Sequence, residues 1–516
     1  MEKKNVILIM TDSLQFNYLG CYGNDWIQTP NIDRFAREAT LFENAYCEGL
    51  PTIPCRRSMM TGRYTLPFNG WSPLEMEDTT IADMLWGRGI HTALIYDTAP
   101  MQMPKYGYSR GFNDVIFRHG HELDHHFYSH DKLIHLKPED YVEEHTIYDE
   151  NGEFRTLLGT TVMQELPQYL KLRQHWKSEE DNYVAVLVKE AMKWLENVDR
   201  THPFLLWLDS FDPHEPWDPP SVWDPNLKCP YDPDYKGKDM IIPVIGPVEG
   251  VFTEEELHHV RMLYAENVTL VDRWIGKFLD KVRDLGLWDD TLIIFCSDHG
   301  EPMGNGEHGH GIMRKCRPWP YEELAHIPFI VRLPGVGEGK RVSSYVQSCD
   351  VAPTIADYLG IKEGDKRAHG VVKLPSAGVE HMQGHSLLPL VQGEKEKVRD
   401  FAIAGYFSLS WSIIQDDYSF IHWVRGYDQT TDVITHARAL DAGGTQQGQW
   451  AKEFEREDNE MWTCTPGAET VVPEGDELYD RRNDQFQLNN IIDKEPDKAK
   501  ELHQRLRNFM LELRTC

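Results

Sequence analysis

Short, unbroken apolar runs recur along the chain at residues 5–11 (NVILIMT), 91–96 (HTALIY), 204–208 (FLLWL), 291–296 (TLIIFC) and 328–333 (PFIVRL). Runs of this length without polar alternation mark strands buried on both faces. Helical periodicity fills the intervals at 31–38, 79–86, 182–198 and 253–285. The last of these opens on Thr253-Glu254-Glu255-Glu256, an N-cap followed by acids in the first turn. Strands alternating with helices predict an α/β fold, with a mostly parallel central sheet and helices on both faces. Past about residue 395 the texture changes. Residues 401–404 and 418–423 look like antiparallel strands, and 497–513, just after Pro496, like an amphipathic helix. The expected division is a principal domain over 1–395 and a smaller C-terminal α+β subdomain over 396–516. No internal repeat is apparent.

Several apolar runs end in polar groups: Asp12 after the first, Asp97-Thr98 after the second, Asp209, Asp212 and His214 after the third, and Asp298-His299 after the fourth. In open α/β sheets the ligand site lies beyond the carboxyl ends of the strands, so residues far apart in sequence are expected to gather there. Asp298 and His299 suit a divalent metal, because carboxylate and neutral imidazole are both good ligands for Zn or Mn. Asp12 is a third candidate ligand, with a turn cap as the alternative. A second Asp/His/His set is not clear, although Asp209, Asp212 and His214 could be forced into one. The irregular stretch 105–180 carries Arg118-His119-Gly120-His121 and further histidines to His126. These could bind metal, but a polar surface insertion beside the site is the preferred reading.

Charge narrows the partners. Lys and Arg total 53 against 83 Asp and Glu, a formal net charge of −30. Such a surface repels nucleic acid and anionic membranes, so neither is an expected partner. An anionic substrate would need cations concentrated locally. No run approaches the roughly 20 apolar residues that span a bilayer. The nine cysteines show no framework spacing, and the N-terminus offers no secretory signal pattern; a cytoplasmic location is expected.

The segment Thr52-Ile53-Pro54-Cys55-Arg56 places a hydroxyl near a helix start, with Pro54 in the first turn. Amide groups there favour an anion, and Arg56, one turn on, can reach back with its planar fork. A capping Thr with a surface Arg is the alternative. With Thr61-Gly62-Arg63-Tyr64 downstream, the segment resembles the signature of the sulfatase family in the alkaline phosphatase superfamily. In that signature Cys or Ser precedes x-Pro-x-Arg, and Thr-Gly follows nine and ten residues later. The resemblance extends, in order, through the strand ending at Asp12, Thr29-Pro30-Asn31-Ile32-Asp33, Asp212-Pro213-His214, Ser297-Asp298-His299-Gly300-Glu301, Asp350-Val351-Ala352-Pro353-Thr354 and Glu477-Leu478-Tyr479-Asp480.

That resemblance implies one divalent metal held by Asp12, Asp298, His299 and the Thr52 oxygen, with Arg56, His214 and Lys315 on the ester's non-bridging oxygens. His310, five residues before Lys315, is implied as general acid or oxygen contact, with His308 as a rival. Two departures matter. Ser13 stands where many sulfatases carry a second carboxylate, which favours Mn or Zn over Ca. Thr52 stands where sulfatases oxidise Cys or Ser to formylglycine, which Thr cannot become. Cys55 is three residues out of register. A Thr alkoxide can still attack phosphorus. Tyr96-Asp97-Thr98 is similar to the Tyr-x-Thr of phosphonate monoester hydrolases and related phosphodiesterases, and Asn69 to their substrate-facing Asn. Asn69, Tyr96 and Thr98 are therefore implied substrate contacts, with strand-end packing as the alternative for Tyr96.

The expected protein is thus a metal-dependent hydrolase of small anionic esters, with phosphodiesters or phosphonate monoesters favoured. A sulfuric ester hydrolase is the alternative, with a phospho-group transferase or a catalytically silent binding protein behind it. The resemblance is also compatible with a homo-oligomer.

Overall fold

The computed structural model describes residues 4–66, 68–121, 124, 128–143, 166–243, 245–304, 310–315, 319–337, 339–362, 379–407, 409–423 and 475–515. His125, His126 and His308 lie outside the described residues.

The principal elements are β1 (Asn5–Thr11), α1 (Pro30–Arg37), β2 (Thr40–Tyr46), α2 (Thr52–Thr61), α3 (Ile81–Leu85), β3 (His91–Tyr96), β4 (Asp114–Phe117), α4 (Tyr183–Asn197), β5 (Phe204–Ser210), α5 (Glu254–Asp284), β6 (Thr291–Ser297), β7 (Phe329–Arg332), β8 (Lys340–Gln347) and α6 (Val351–Tyr358). They are followed by β9 (Phe401–Tyr406), β10 (Ser410–Gln415), β11 (Tyr418–Trp423), β12 (Glu477–Asp480) and α7 (Pro496–Thr515).

Among the described residues an eight-stranded sheet runs in the order β8-β2-β7-β6-β1-β5-β3-β4. β1 lies parallel to both β5 and β6, and β3 parallel to β5 and β4. Only β7 runs antiparallel to its neighbours. The unbroken apolar runs follow from two-sided burial. Ile7, Ile9, Leu206, Ile293 and Phe295 face one core with residues of α1, α4 and α5. Their sequence neighbours Val6, Leu8, Leu205, Leu292 and Ile294 face the other, with residues of α2, α3 and α6. Fully burying an aliphatic side chain is worth about 1.5–3 kcal/mol, so the central strands anchor both layers.

Helix α5 is capped as its sequence predicts: Thr253 Oγ1 accepts from Glu256 N at 3.2 Å while Glu256 Oε2 accepts from Thr253 N at 2.8 Å. Helix α2 differs from the others in being buried at all ten positions, so it has no amphipathic stripe. It ends at Gly62 with φ +68°, where a Cβ would lie 2.9 Å from Met382 Cγ. This is a left-handed stop that favours glycine.

Beyond residue 400 a separate antiparallel sheet, β9-β10-β11-β12, forms. Its apolar face, with Ile403, Trp411, Ile413, Phe420 and Leu478, packs on Leu502, Leu506 and Met510 of α7. The chain therefore has the expected fold class. Among the described residues no helix is long and apolar enough to cross a membrane.

Candidate active site

The carboxyl ends of β1, β5 and β6 converge on the N-terminus of α2. Thr52 is the first residue of α2, and its hydroxyl lies 3.3 Å from His299 Nε2. Asp12 leaves the end of β1, and Asp298 and His299 follow β6. All three are wholly buried, and their ligand atoms lie within 4.8 Å of one another. His299 Nδ1 lies 2.7 Å from the Gly300 carbonyl. Only a protonated nitrogen can meet a carbonyl, so Nδ1 carries the hydrogen and Nε2 directs a lone pair at Thr52, Asp12 and Asp298. Burial is the main reason the imidazole sits low, at about 4, and so stays neutral. Burial, then the neighbouring Asp298, pushes Asp12 up to about 6.

Arg56 lies at the centre of this group, on the turn of α2 after Thr52. Its Nη1 donates to Asp298 Oδ2 at 2.6 Å, to Asp12 Oδ2 at 3.0 Å and to the Thr52 carbonyl at 3.2 Å. Nη2 donates to Asp209 Oδ1 at 2.6 Å and to Thr98 Oγ1 at 3.2 Å, and Nε to Asp209 Oδ2 at 3.0 Å. The guanidinium is thus engaged wholly by groups of this chain and is directed at the acids rather than outward to a ligand. One Arg faces three carboxylates, leaving an excess of two negative charges in a buried pocket. A divalent cation would neutralise it, and two carboxylates with one neutral imidazole are suitable donors. The residues present therefore fit a divalent ion.

A second charge group adjoins the first. Lys315 Nζ lies 3.2 Å from both oxygens of Glu215 and 3.5 Å from Glu301 Oε2. Arg314 also pairs with Glu215. His214 Nδ1 donates to the Glu215 carbonyl at 2.7 Å, and its ring stacks on Phe211 at 4.0 Å. Burial, followed by the nearby cations Lys315 and Arg314, holds His214 well below the usual histidine range. The structure thus joins Lys315 to His214 through Glu215. The sequence pattern assigns no role to Glu215 or Glu301. The available signal was the adjacency of Glu215 to His214 and of Glu301 to the Asp298-His299-Gly300 turn.

Other implied contacts lie elsewhere. His310 Nε2 donates to the Phe486 carbonyl at 2.8 Å, and its ring stacks on Tyr321 at 3.6 Å. Among the described residues no hydrogen bond or ion pair ties it to the acidic group; its contacts are with the 486 segment and Tyr321. Tyr96 donates to Gln102 Oε1 at 2.7 Å and belongs to the α2-side core. Strand parity sends it to that core together with Leu94, which is the strand-end packing alternative. Thr98 reaches the site, but its hydroxyl donates to Asp209 Oδ1 at 2.9 Å; it buttresses Arg56 instead of facing outward. Asn69, with its amide oriented to satisfy its neighbours, accepts from Arg57 Nη2 at 3.2 Å. Arg57 itself pairs with Asp78 at 2.6 Å. Asp209, Asp212 and His214 do not gather as a set: Asp209 serves Arg56, while Asp212 turns towards His121 at 3.4 Å.

With this geometry in place, comparisons with known proteins are specific. A family model described as Sulfatase matches residues 4–361. An arylsulfatase of Clostridium perfringens is 26% identical over 446 residues, covering 77% of this chain and 80% of its own. The multifunctional alkaline phosphatase superfamily protein PehA of Trinickia caryophylli is 25% identical over 426 residues, covering 70% and 74%. Among solved structures, the phosphonate monoester hydrolase of Agrobacterium radiobacter superposes with a TM-score of 0.65 at 20% identity, covering 99% of this chain and 96% of that one.

Proposed function

The chain belongs to the sulfatase family of ester-bond hydrolases, and on that premise we propose that it cleaves phosphodiesters or phosphonate monoesters with Thr52 as nucleophile. The observation that carries this reading is the Thr52 hydroxyl, at the start of α2 and 3.3 Å from a neutral His299. The residue at that position cannot be oxidised to an aldehyde, so the route open to it is direct attack by its own oxygen.

Asp12, Asp298 and His299 would hold one divalent ion, with Mn or Zn favoured by the mixed carboxylate and imidazole set. When bound, that ion supplies positive charge that lowers the hydroxyl pKa and attracts the ester's anionic oxygen. The chain's own residues do the rest. The amides at the start of α2 face the developing charge on the Thr52 oxygen. Arg56 holds Asp12, Asp209 and Asp298 in place and offsets their mutual repulsion; it acts as a countercharge and not as an ester contact. Lys315, braced by Glu215, supplies the cationic side of the pocket for the non-bridging oxygens, and His214 joins it once the charge of the bound ester restores a proton on Nε2. Attack forms the Thr52–phosphorus ester bond and expels the alcohol or phenol leaving group, which takes up a proton. Water then cleaves the phosphothreonine and restores the hydroxyl. His308 stands as the remaining histidine candidate for protonating the leaving group.

A sulfate ester as natural substrate is the second reading, favoured by the arylsulfatase of Clostridium perfringens among the relatives. A panel of nitrophenyl esters assayed with Mn or Zn separates the two. The phosphorus reading expects kcat/KM for an aryl phosphodiester or phosphonate monoester to exceed that for the aryl sulfate by roughly 100-fold or more, about 3 kcal/mol of differential transition-state binding. A preference for the sulfate would overturn it. The six described cysteines are all free thiols, which supports the cytoplasmic part of the reading.

A further inference from the structure

Behind His214, on the far side of Phe211, lies a second buried group that the chemistry above does not use. Asp97 follows β3, Asp212 follows β5, and His121 comes from the segment after β4. All three are buried, and their ligand atoms lie within 4.8 Å of one another. His121 Nε2 lies 3.4 Å from Asp212 Oδ1. Asp97 Oδ1 accepts from Phe211 N at 2.7 Å, but Asp97 Oδ2, sealed from solvent, has no hydrogen-bond partner among the described residues. Asp212 is held by Val184 N at 2.9 Å and Asn267 Nδ2 at 3.2 Å. Those neutral donors orient the carboxylate without cancelling its charge.

We propose that Asp97, His121 and Asp212 form a second divalent-metal site, taking an ion of the Zn or Mn class.

Three observations converge on it. The first is composition: two carboxylates and one imidazole make a mixed O and N set suited to these ions. The second is spacing. An ion about 2.1 Å from each ligand holds them roughly 3–4 Å apart, and the His121–Asp212 distance already falls in that range. The third is uncompensated charge. No lysine or arginine pairs with either carboxylate among the described residues, in contrast to the Arg56 group. A buried carboxylate oxygen with no donor is costly, and an ion would remove that cost. Local backbone also favours the arrangement. Gly120 adopts φ +106°, where a Cβ would lie 2.3 Å from Leu172 Cδ1, and its carbonyl accepts from Tyr183 OH at 2.7 Å. This fixes His121 facing inward, opposite to the surface insertion expected for that segment. A bound ion would tie the segment after β4 to the ends of β3 and β5. It would also fix Phe211, against which His214 stacks. The ion is a positioning element, and the inference does not depend on which ester is cleaved.

The test is metal stoichiometry in the full-length protein. The chain is stripped with a chelator, equilibrated separately with Zn²⁺ and with Mn²⁺, freed of excess, and counted by elemental analysis. Two ions per chain are expected in the wild type. Asp97→Asn and His121→Ala should each drop the count to one, and Asp298→Asn should remove the other ion. Circular dichroism shows whether each variant is folded. If the variants do not fold, anomalous scattering from wild-type crystals equilibrated with Zn²⁺ decides. A peak between Asp97, His121 and Asp212 supports the site, and its absence when the Asp12 site is filled overturns it. A wild-type count of one that Asp298→Asn abolishes and Asp97→Asn preserves also overturns it, and leaves the reading of the Thr52 site untouched.

Discussion

Arg56, wholly buried, and Arg481, largely covered, both hold acids at a junction, but their charge balance differs. Arg56 faces Asp12, Asp209 and Asp298. Arg481, just beyond β12, pairs with Glu322 at 2.8 Å; Tyr46 of β2 donates to Glu322, and His326 joins from 2.7 Å. Their carboxylates respond in opposite ways. Burial alone would raise Glu322, but Arg481 and then His326 outweigh it and hold the group down at about 2. Burial and Asp298 win at Asp12, which sits at about 6. One network is complete and joins the second sheet to the first. The other carries surplus negative charge and is suited to receive a cation. An unbalanced buried ion group is therefore a better pointer to chemistry than a buried ion pair as such.

The largest expected effect separates the nucleophile from the ligand set. Thr52→Ala should lower turnover at least roughly 10³-fold, while bound metal stays at the wild-type level, because Asp12, Asp298 and His299 remain. Steady-state kinetics beside elemental analysis checks this. Retained turnover would remove Thr52 from the mechanism, and lost metal would make its oxygen an essential ligand.

Next come the two arginines themselves. Removing one partner of a buried ion group costs roughly 3–5 kcal/mol, so Arg56→Met and Arg481→Met should both lower the denaturation midpoint of metal-free protein. Saturating Mn²⁺ should then restore the Arg56 variant far more than the Arg481 variant, since a cation can substitute only where charge is in excess. Equal recovery in urea titrations would erase the distinction between the two networks.

How much of this could be read in the sequence depends on burial. β1, β3, β5 and β6 lie inside the sheet, and both their faces demand apolar residues, so each appears as an unbroken run. β2 (TLFENAY) and β8 (KRVSSYVQ) lie towards one edge and β4 at the other. Polar residues interrupt them, some partly exposed, such as Glu43 and Asn44, and some buried, such as Thr40 and Gln347, so no run announces them. Site residues behave likewise. Asp12, Asp298 and His299 sit at the ends of legible strands, and Thr52 and Arg56 on a helix with a recognisable spacing. Glu215 was not legible because its partner Lys315 is 100 residues away; only the fold brings them together. The ring contacts of His310 with Phe486 and Tyr321 were not legible either, because spacing to Lys315 fixes separation along the chain and not the direction of the ring. The core placement of Tyr96 follows from strand parity, which puts it on the same face as Leu94.

The smallest expected effects are the pH profiles, and their signs differ. Glu322 sits at about 2 against an ordinary 4.5, so the unfolded chain binds the extra proton between those values. Stability from this group is complete above about pH 4.5 and is lost as pH falls towards 2, an amount of about 3 kcal/mol. Asp12 sits at about 6 against 3.8, so here the folded protein holds the extra proton. Its contribution is present below about pH 4 and is lost as pH rises through 6, again by about 3 kcal/mol. In metal-free protein, Glu322→Gln should flatten the acid limb of the melting profile, and Asp12→Asn the limb between about pH 4 and 6. Adding Mn²⁺ should reverse the second limb in the wild type, because the ionised carboxylate is the form that binds a cation, and leave the first unchanged. Superimposable wild-type and Asp12→Asn profiles without metal would show that the acid cluster is already neutralised, and would remove the charge argument for a cation at that site.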